Sequence, residues 1–252
     1  MNEKFPFISC KMITYARVDL LEEALYSFLR QEYQGKKELI IVNDYPLQTL
    51  IFDHPEVKIF NLKETFTLIG DKENYAIEKC SGELIAVWDD DDVALPNHLS
   101  NVAKYWREDA NLLHWKIGIY YNEPNITSIG TVGNSGIVYS KKAWEAIGRS
   151  PLENAGGDMT LVKSLHALGD EYVVRASPNR EEASWFYMWG GRGYHQSGQG
   201  YDVPGKPNII QRHGAHIEQL RAKGQIPTGN IKLNPHWNKD YKQMLQDYVA
   251  KN

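Results

Sequence analysis

The sequence predicts an α/β fold: a single domain on an open, mostly parallel central sheet flanked by helices. Three observations carry this. Short apolar runs alternate with amphipathic stretches through the first hundred residues, as parallel strands joined by crossover helices do. The run Leu39-Ile40-Ile41-Val42 is continuously apolar, as a strand covered on both faces must be. With 252 residues, 42% hydrophobic and 24% charged, the chain has the size and balance of one well-buried core.

The elements follow in order. Residues 5–14 read as a strand. Asp19 caps a helix running to about residue 31, whose Leu21, Ala24, Leu25, Phe28 and Leu29 recur at helical spacing and so bury one face. Residues 38–43 are the second strand and 57–62 a weaker third. Residues 71–80 form a helix with Ala76, Ile77 and Cys80 inward, stopped by Gly82. Residues 84–88 are the fourth strand, running directly into Asp89-Asp90-Asp91-Asp92. Ligands of open α/β sheets bind beyond the carboxyl ends of strands, where these aspartates fall. Further on, Pro96 suits the first turn of a helix reaching about residue 106. Residues 112–121 and 136–140 are strand-like, and 141–147 and 158–168 are helical, closed by Gly148 and Gly169. Residues 184–200, rich in aromatic side chains and glycine, read as a long functional loop. Residues 241–249 form a terminal helix. There is no repeat, low-complexity tract or linker.

The net charge of −4 argues against a general nucleic-acid binder. It is unevenly spread: residues 206–252 hold eight Lys/Arg against three Asp/Glu, behind an acidic body. Such a tail either touches phosphate, lipid headgroups or an acidic acceptor, or is a solvated helical surface. No run approaches the roughly 18 apolar residues that span a bilayer, and the opening Met1-Asn2-Glu3-Lys4 is not a secretory leader. The expectation is a cytoplasmic protein, with at most peripheral membrane contact through the basic region. Cys10 and Cys80, in apolar segments, read as reduced core thiols.

Four consecutive carboxylates repel one another. Either they lie on an exposed turn or a cation holds them together, and a hard divalent ion prefers such oxygen ligands. Mg²⁺ in particular binds through one or two carboxylates plus substrate phosphates. A strand followed by Asp-x-Asp-x-Val also fits phosphatases of the haloacid dehalogenase type, with Asp89 as nucleophile and Asp91 as acid/base. That motif normally lies on the first strand of its domain, and here three strands precede it.

Taken together, the motifs resemble the family 2 glycosyltransferases, which have the GT-A fold. Those proteins commonly end their first strand in Pro-Thr-Tyr-Asn-Arg, and here the stretch is Ile13-Thr14-Tyr15-Ala16-Arg17. Their Val-Asp-Asp-Gly-Ser corresponds to Val42-Asn43-Asp44-Tyr45-Pro46. Gly70, Lys72 and Asn74 then open a helix, followed by Cys80-Ser81-Gly82-Glu83 and the aspartates. The resemblance is good over residues 5–103, moderate to about 200 and absent beyond. It implies a nucleotide-binding half at 1–105 and an acceptor half at 106–205, with 206–252 a basic extension packed on the same domain. It further implies that Thr14, Tyr15 and Arg17 line the nucleotide pocket and that Asn43 and Asp44 face the base. Lys72 and Asn74 would hold base, ribose or phosphate; Asp89 and Asp90 would belong to the nucleotide site, with Asp89 on the ribose. Asp91 would ligate Mn²⁺ or Mg²⁺ bridging the diphosphate. The departures are Asn43 for Asp, Tyr45-Pro46 for Gly-Ser, and Glu73 where relatives often carry Arg.

Inverting members place a carboxylate at the start of a later helix. Asp158, after Gly156-Gly157, fits as general base: a helix N-terminus favours its anionic form, and the glycines admit an acceptor. Asp is also a common N-cap, so capping alone is the competing reading, and Glu153 is the reserve base. For a histidine that completes the metal site the resemblance points to His195, with His213, His216 and His236 as alternatives. Trp185, Phe186, Tyr187, Trp189 and Tyr194 either stack on sugars or pack beneath the loop. The expected activity is metal-dependent, inverting transfer of a single sugar from a nucleotide-diphosphate sugar, UDP-linked by preference, to a glycan, lipid-linked or small-molecule acceptor. The rival from another class is a GT-A domain that binds nucleotide or glycan without catalysis.

Overall fold

The computed structural model describes residues 5–115, 117–130, 136–154, 156–176, 179–188, 207 and 209–252. A seven-stranded sheet forms its centre. Its strands are β1 (Ile8–Thr14), β2 (Lys37–Asn43), β4 (Val57–Asn61), β5 (Leu84–Val87), β7 (Leu112–Trp115), β10 (Val138–Ser140) and β11 (Val173–Ala176), in the order β11-β7-β10-β5-β1-β2-β4. Only β10 runs antiparallel to its neighbours. β2 is buried along its whole length, as its unbroken apolar run requires.

Helices cover both faces. α1 (Val18–Leu29) and α3 (His98–Tyr105) share one core with Ile8, Cys10, Met12 and Trp88. α2 (Ile69–Lys79), α4 (Lys141–Ala146) and α5 (Gly157–His166) share the other with Ile40, Val42 and Ile85. The alternation of side chains along β1 and β2 divides the two cores. Because β2 and β4 lie to one side of β1 and β5 to the other, the chain reverses its winding between β1 and β5. Ligands of such sheets bind in a crevice at the switch point, and the segments that flank it here are Thr14-Tyr15-Ala16-Arg17 and the aspartates.

A second sheet of four strands, β6 (Val93–Ala94), β12 (Trp185–Met188), β8 (Gly118–Asn122) and β9 (Asn125–Gly130), adjoins the aspartates. Its core closes against α7 (Tyr241–Lys251) through Tyr241 and Leu245. In the basic region, α6 (Ile209–Ala222) precedes β13 (Gly229–Lys232), which pairs in parallel with β3 (Gln48–Ile51).

Several expectations change. The first helix begins at Val18, with Arg17 at the cap position and Asp19 in the first turn, because the backbone at Ala16, with a φ of 60°, and at Arg17, with a φ of −107°, is not helical. Residues 112–121 are two strands in different sheets, not one. The segment expected to be loop from 184 opens as β12, whose Trp185 and Phe186 are fully buried core residues rather than sugar platforms. The helix N-cap before Asp158 is Gly156, in the left-handed region, so Asp158 is not the cap.

Candidate active site

The crevice is built by three loops. At the end of β1, Ala16 takes a positive φ of 60°. This kink sends Tyr15 and Arg17 to different partners. Alanine adopts it at a cost that Asn, the residue at this place in the resemblance motif, largely avoids. Tyr15 makes ring contact with Tyr45 at 4.9 Å and with His213 at 5.7 Å. Arg17 donates through Nη2 and through Nε, at 3.1 Å, to Asp90, and through Nη1 to Asp91 at 2.9 Å. Asp90 is 1% exposed and also takes the Thr14 hydroxyl.

At the end of β2, Asp44 accepts from the buried Lys72 ammonium and from Phe66 N at 3.0 Å. Lys72 also donates to the Thr14 carbonyl at 2.7 Å, tying α2 to β1. Burial holds the Lys72 pKa below the ordinary lysine value, against the pull of Asp44. Asn43 does not face the crevice: its Nδ2 donates to Gln48 O and Asn61 Oδ1, and its Oδ1 accepts from Tyr45 N. Its work is to hold the turn that carries Asp44. Asn74 also departs from expectation. Its Oδ1 accepts from Ser150 N and Trp144 Nε1 and its Nδ2 donates to Ser150 O, because a residue two positions beyond Lys72 lies on another side of α2.

The aspartates follow β5. Burial, then Asp91 and Asp90, push the Asp89 carboxyl up to about 7, against the opposing pull of Lys11. Asp90 is pushed up to about 6 by burial, which Arg17 counters. Asp92, 3% exposed, accepts from Trp185 Nε1 at 2.9 Å and Met188 N at 2.8 Å. Lys11, buried in β1, pairs with Glu73 of α2. Lys11 was not singled out in the sequence, although a lysine inside an apolar strand was a visible signal; Glu73 was noted only as a departure from the motif, and Asp92 only as one of the four aspartates.

Asp158 lies in the first turn of α5 and is exposed. The loop before it reaches α2: Asn154 Oδ1 accepts from Ile69 N at 3.1 Å and Glu153 O from Gly70 N at 3.3 Å. A Cβ on Gly70 would lie 1.9 Å from Pro151 O, which is why glycine stands there. His195, Trp189 and Tyr194 lie outside the described residues. His236 bonds to Asn234 and Asn238, and His213 meets Tyr15.

Among the described residues no three His, Cys, Asp or Glu side chains form a metal cage. The donor set at the turn is carboxylate oxygen, which fits a hard cation that completes its shell with water and phosphate. The resemblance gives the cation to Asp91, whose Oδ2 accepts from Arg17 Nη1 at 2.9 Å and would be shared with it; both Asp90 oxygens are on Arg17 and both Asp92 oxygens on β12, so Asp89, expected on the ribose, would be the second carboxylate.

This arrangement is that of a GT-A domain. Residues 9–149, more than half of the chain, match the family described as Glycosyl transferase family 2, and the chain belongs to that family. It is 33% identical over 112 residues to the uncharacterized glycosyltransferase YwdF of Bacillus subtilis (strain 168), a match covering 42% of this chain and 40% of that protein. Among solved structures, TarS of S. aureus, residues 1–349 with UDP-GlcNAc, aligns with a TM-score of 0.61 at 15% identity, over 96% of this chain and 71% of that one. With UDP, the same TarS fragment aligns at 0.58 and 15% identity, over 72% of this chain and 60% of that one. The mannosyltransferase PcManGT from Pyrobaculum calidifontis, with GDP-Man and Mn²⁺, aligns at 0.56 and 14% identity, over 87% of this chain and 72% of that one. These likenesses establish the fold. The chain thus spans about two fifths of YwdF and three fifths of the UDP-bound TarS chain.

Proposed function

We propose that the protein is a metal-dependent, inverting glycosyltransferase. It would move one sugar from a nucleotide-diphosphate sugar, with UDP the first choice of carrier, to an acceptor hydroxyl. The observation that carries this reading is the crevice between β1 and β5, where Lys72, Arg17, Asp89 and Asp91 converge on one strand-end site. Lys72 and Arg17 bring positive charge to where a diphosphate would lie. A divalent ion held by Asp89 and Asp91 would neutralise charge on the leaving diphosphate.

Asp158 would take the proton from the acceptor hydroxyl. The oxygen then attacks the anomeric carbon as its bond to the diphosphate oxygen breaks, with inversion at that carbon. The start of α5 keeps the Asp158 anion favoured, and Asn154 and Glu153 hold its loop on α2 beside the Lys72 turn. Among the described residues no helix is long and apolar enough to cross a membrane; the basic surface of α6 to α7 would serve any peripheral contact.

The alternative, nucleotide binding without transfer, draws on one feature: Glu73 pairs with Lys11 where an arginine would meet phosphate. One experiment separates the two. Thermal unfolding is followed with Mn²⁺ and UDP or GDP, and donor-sugar hydrolysis is measured in parallel. A metal-dependent shift with slow hydrolysis supports the transferase, and a shift without hydrolysis supports the binder. No shift with either nucleotide overturns both.

A further inference from the structure

The four aspartates after β5 have four different environments, and Asp92 has a role distinct from the rest. Upstream, the acidic turn is anchored by Trp88, whose backbone N donates to Lys11 O and whose Nε1 donates to Ala24 O, each at 3.0 Å. Downstream, β6 pairs antiparallel with β12, Val93 opposite Phe186 and Ala94 opposite Trp185. Beyond Val93 the side chain of Asp92 carries the pairing on. One of its oxygens accepts from Met188 N at 2.8 Å and the other from Trp185 Nε1 at 2.9 Å. Both partners are donors. A carboxylate meets them with two acceptor atoms and no donor, whereas an amide of the same shape would turn an NH₂ toward one of them.

We infer that Asp92 is a positioning residue for the cation site. It pins the downstream end of the acidic turn to β12, so that Asp91, its immediate neighbour, is presented at a fixed place. The inference rests on the metal-dependent reading above. The competing role is packing alone, since Trp185 also sits against Trp88 at 5.5 Å and His98 at 5.0 Å between ring centroids.

The test is Mn²⁺ binding to the whole purified chain in the presence of UDP, read by the electron paramagnetic resonance of the free ion. It is done well below the unfolding temperature for wild type, Asp92→Asn and Trp185→Phe. Asp92 bonds to neither Asp89 nor Asp91 and acts through the backbone of the turn, so the roughly 10–100-fold loss typical of removing a ligand's own hydrogen-bond partner is an upper bound, and a loss of about tenfold is expected for Asp92→Asn. Trp185→Phe, which removes one of the two bonds and keeps the carboxylate, should give a smaller loss in the same direction. Variants that keep wild-type Mn²⁺ affinity while melting earlier would reduce Asp92 to a packing anchor and overturn the inference. Should Asp92→Asn not fold, Trp185→Phe decides by the same criterion. Wild-type protein that takes up no Mn²⁺ with UDP or GDP overturns the functional reading itself, and the inference falls with it.

Discussion

Replacing Asp89 with Asn should stabilise the metal-free protein at pH 8 and do so by only about a third as much at pH 5. The Asp89 carboxyl is pushed from 3.8 to about 7, first by burial and then by Asp91 and Asp90, with Lys11 pulling the other way. An acid whose pKa rises on folding binds more protons in the native than in the unfolded state between the two values. Stability therefore falls as pH rises from about 4 to about 7, then levels off. A shift of about 3 units at 1.36 kcal/mol each sets a ceiling of roughly 4 kcal/mol for Asp89 alone. Relaxation and the high effective dielectric of real sites lower this, so a gain of about 1–3 kcal/mol is expected. In a chain of this size that is roughly 5 °C in Tm. The assay is thermal and urea unfolding of both proteins with EDTA, from pH 5 to pH 8. Added Mn²⁺ and UDP should reverse the order, since a ligand at 100 times its Kd stabilises by about 2.7 kcal/mol and the variant lacks half of the carboxylate pair. A stability difference that is the same at pH 5 and pH 8, or an Asn variant less stable at pH 8, would refute the reasoning.

Three further outcomes follow from the same geometry. Arg17→Met leaves the buried Asp90 without its fork and should cost about 3–5 kcal/mol at pH 8. With Asp90 already pushed up to about 6, the loss should shrink below that pH, and urea unfolding at pH 5 and pH 8 checks it. Asp158→Asn should lower kcat by about 10²–10⁴-fold and leave donor affinity unchanged, measured by steady-state transfer and nucleotide titration. Gly70→Ala forces Pro151 O away from a contact of 1.9 Å. It should cost about 1–3 kcal/mol in calorimetry and weaken acceptor use as the 151–154 loop shifts.

The central half of the fold was legible in the sequence because its signals are local. The apolar run of β2, the helical spacing of Leu21, Ala24, Leu25 and Phe28, and the glycines closing α4 and α5 each declare an element within a dozen residues. The acidic turn was legible for the same reason: four adjacent carboxylates at a strand end are conspicuous before any contact is known. β9, β11 and β13 were not legible. They are short and largely half-buried or exposed, so they carry no strong alternation. α6 went unseen as well, although in the tertiary structure its Ile217 is buried with Tyr45 and Ala16.

Residue type told which chemistry the crevice could hold, but not which residue would hold it. Asn43 and Asn74 matched a motif and then gave their amides to Gln48, Asn61, Tyr45 and Ser150. The four aspartates are equivalent in sequence. Only the fold, by bringing Arg17 from the cap of α1 onto both Asp90 oxygens and one of Asp91, and Trp185 from β12 onto Asp92, gave the four different partners. The physical reason is distance along the chain. Periodicity and caps are encoded within a few residues, whereas a carboxylate's partner can lie 73 or 93 residues away, and only the closed tertiary structure makes that pairing.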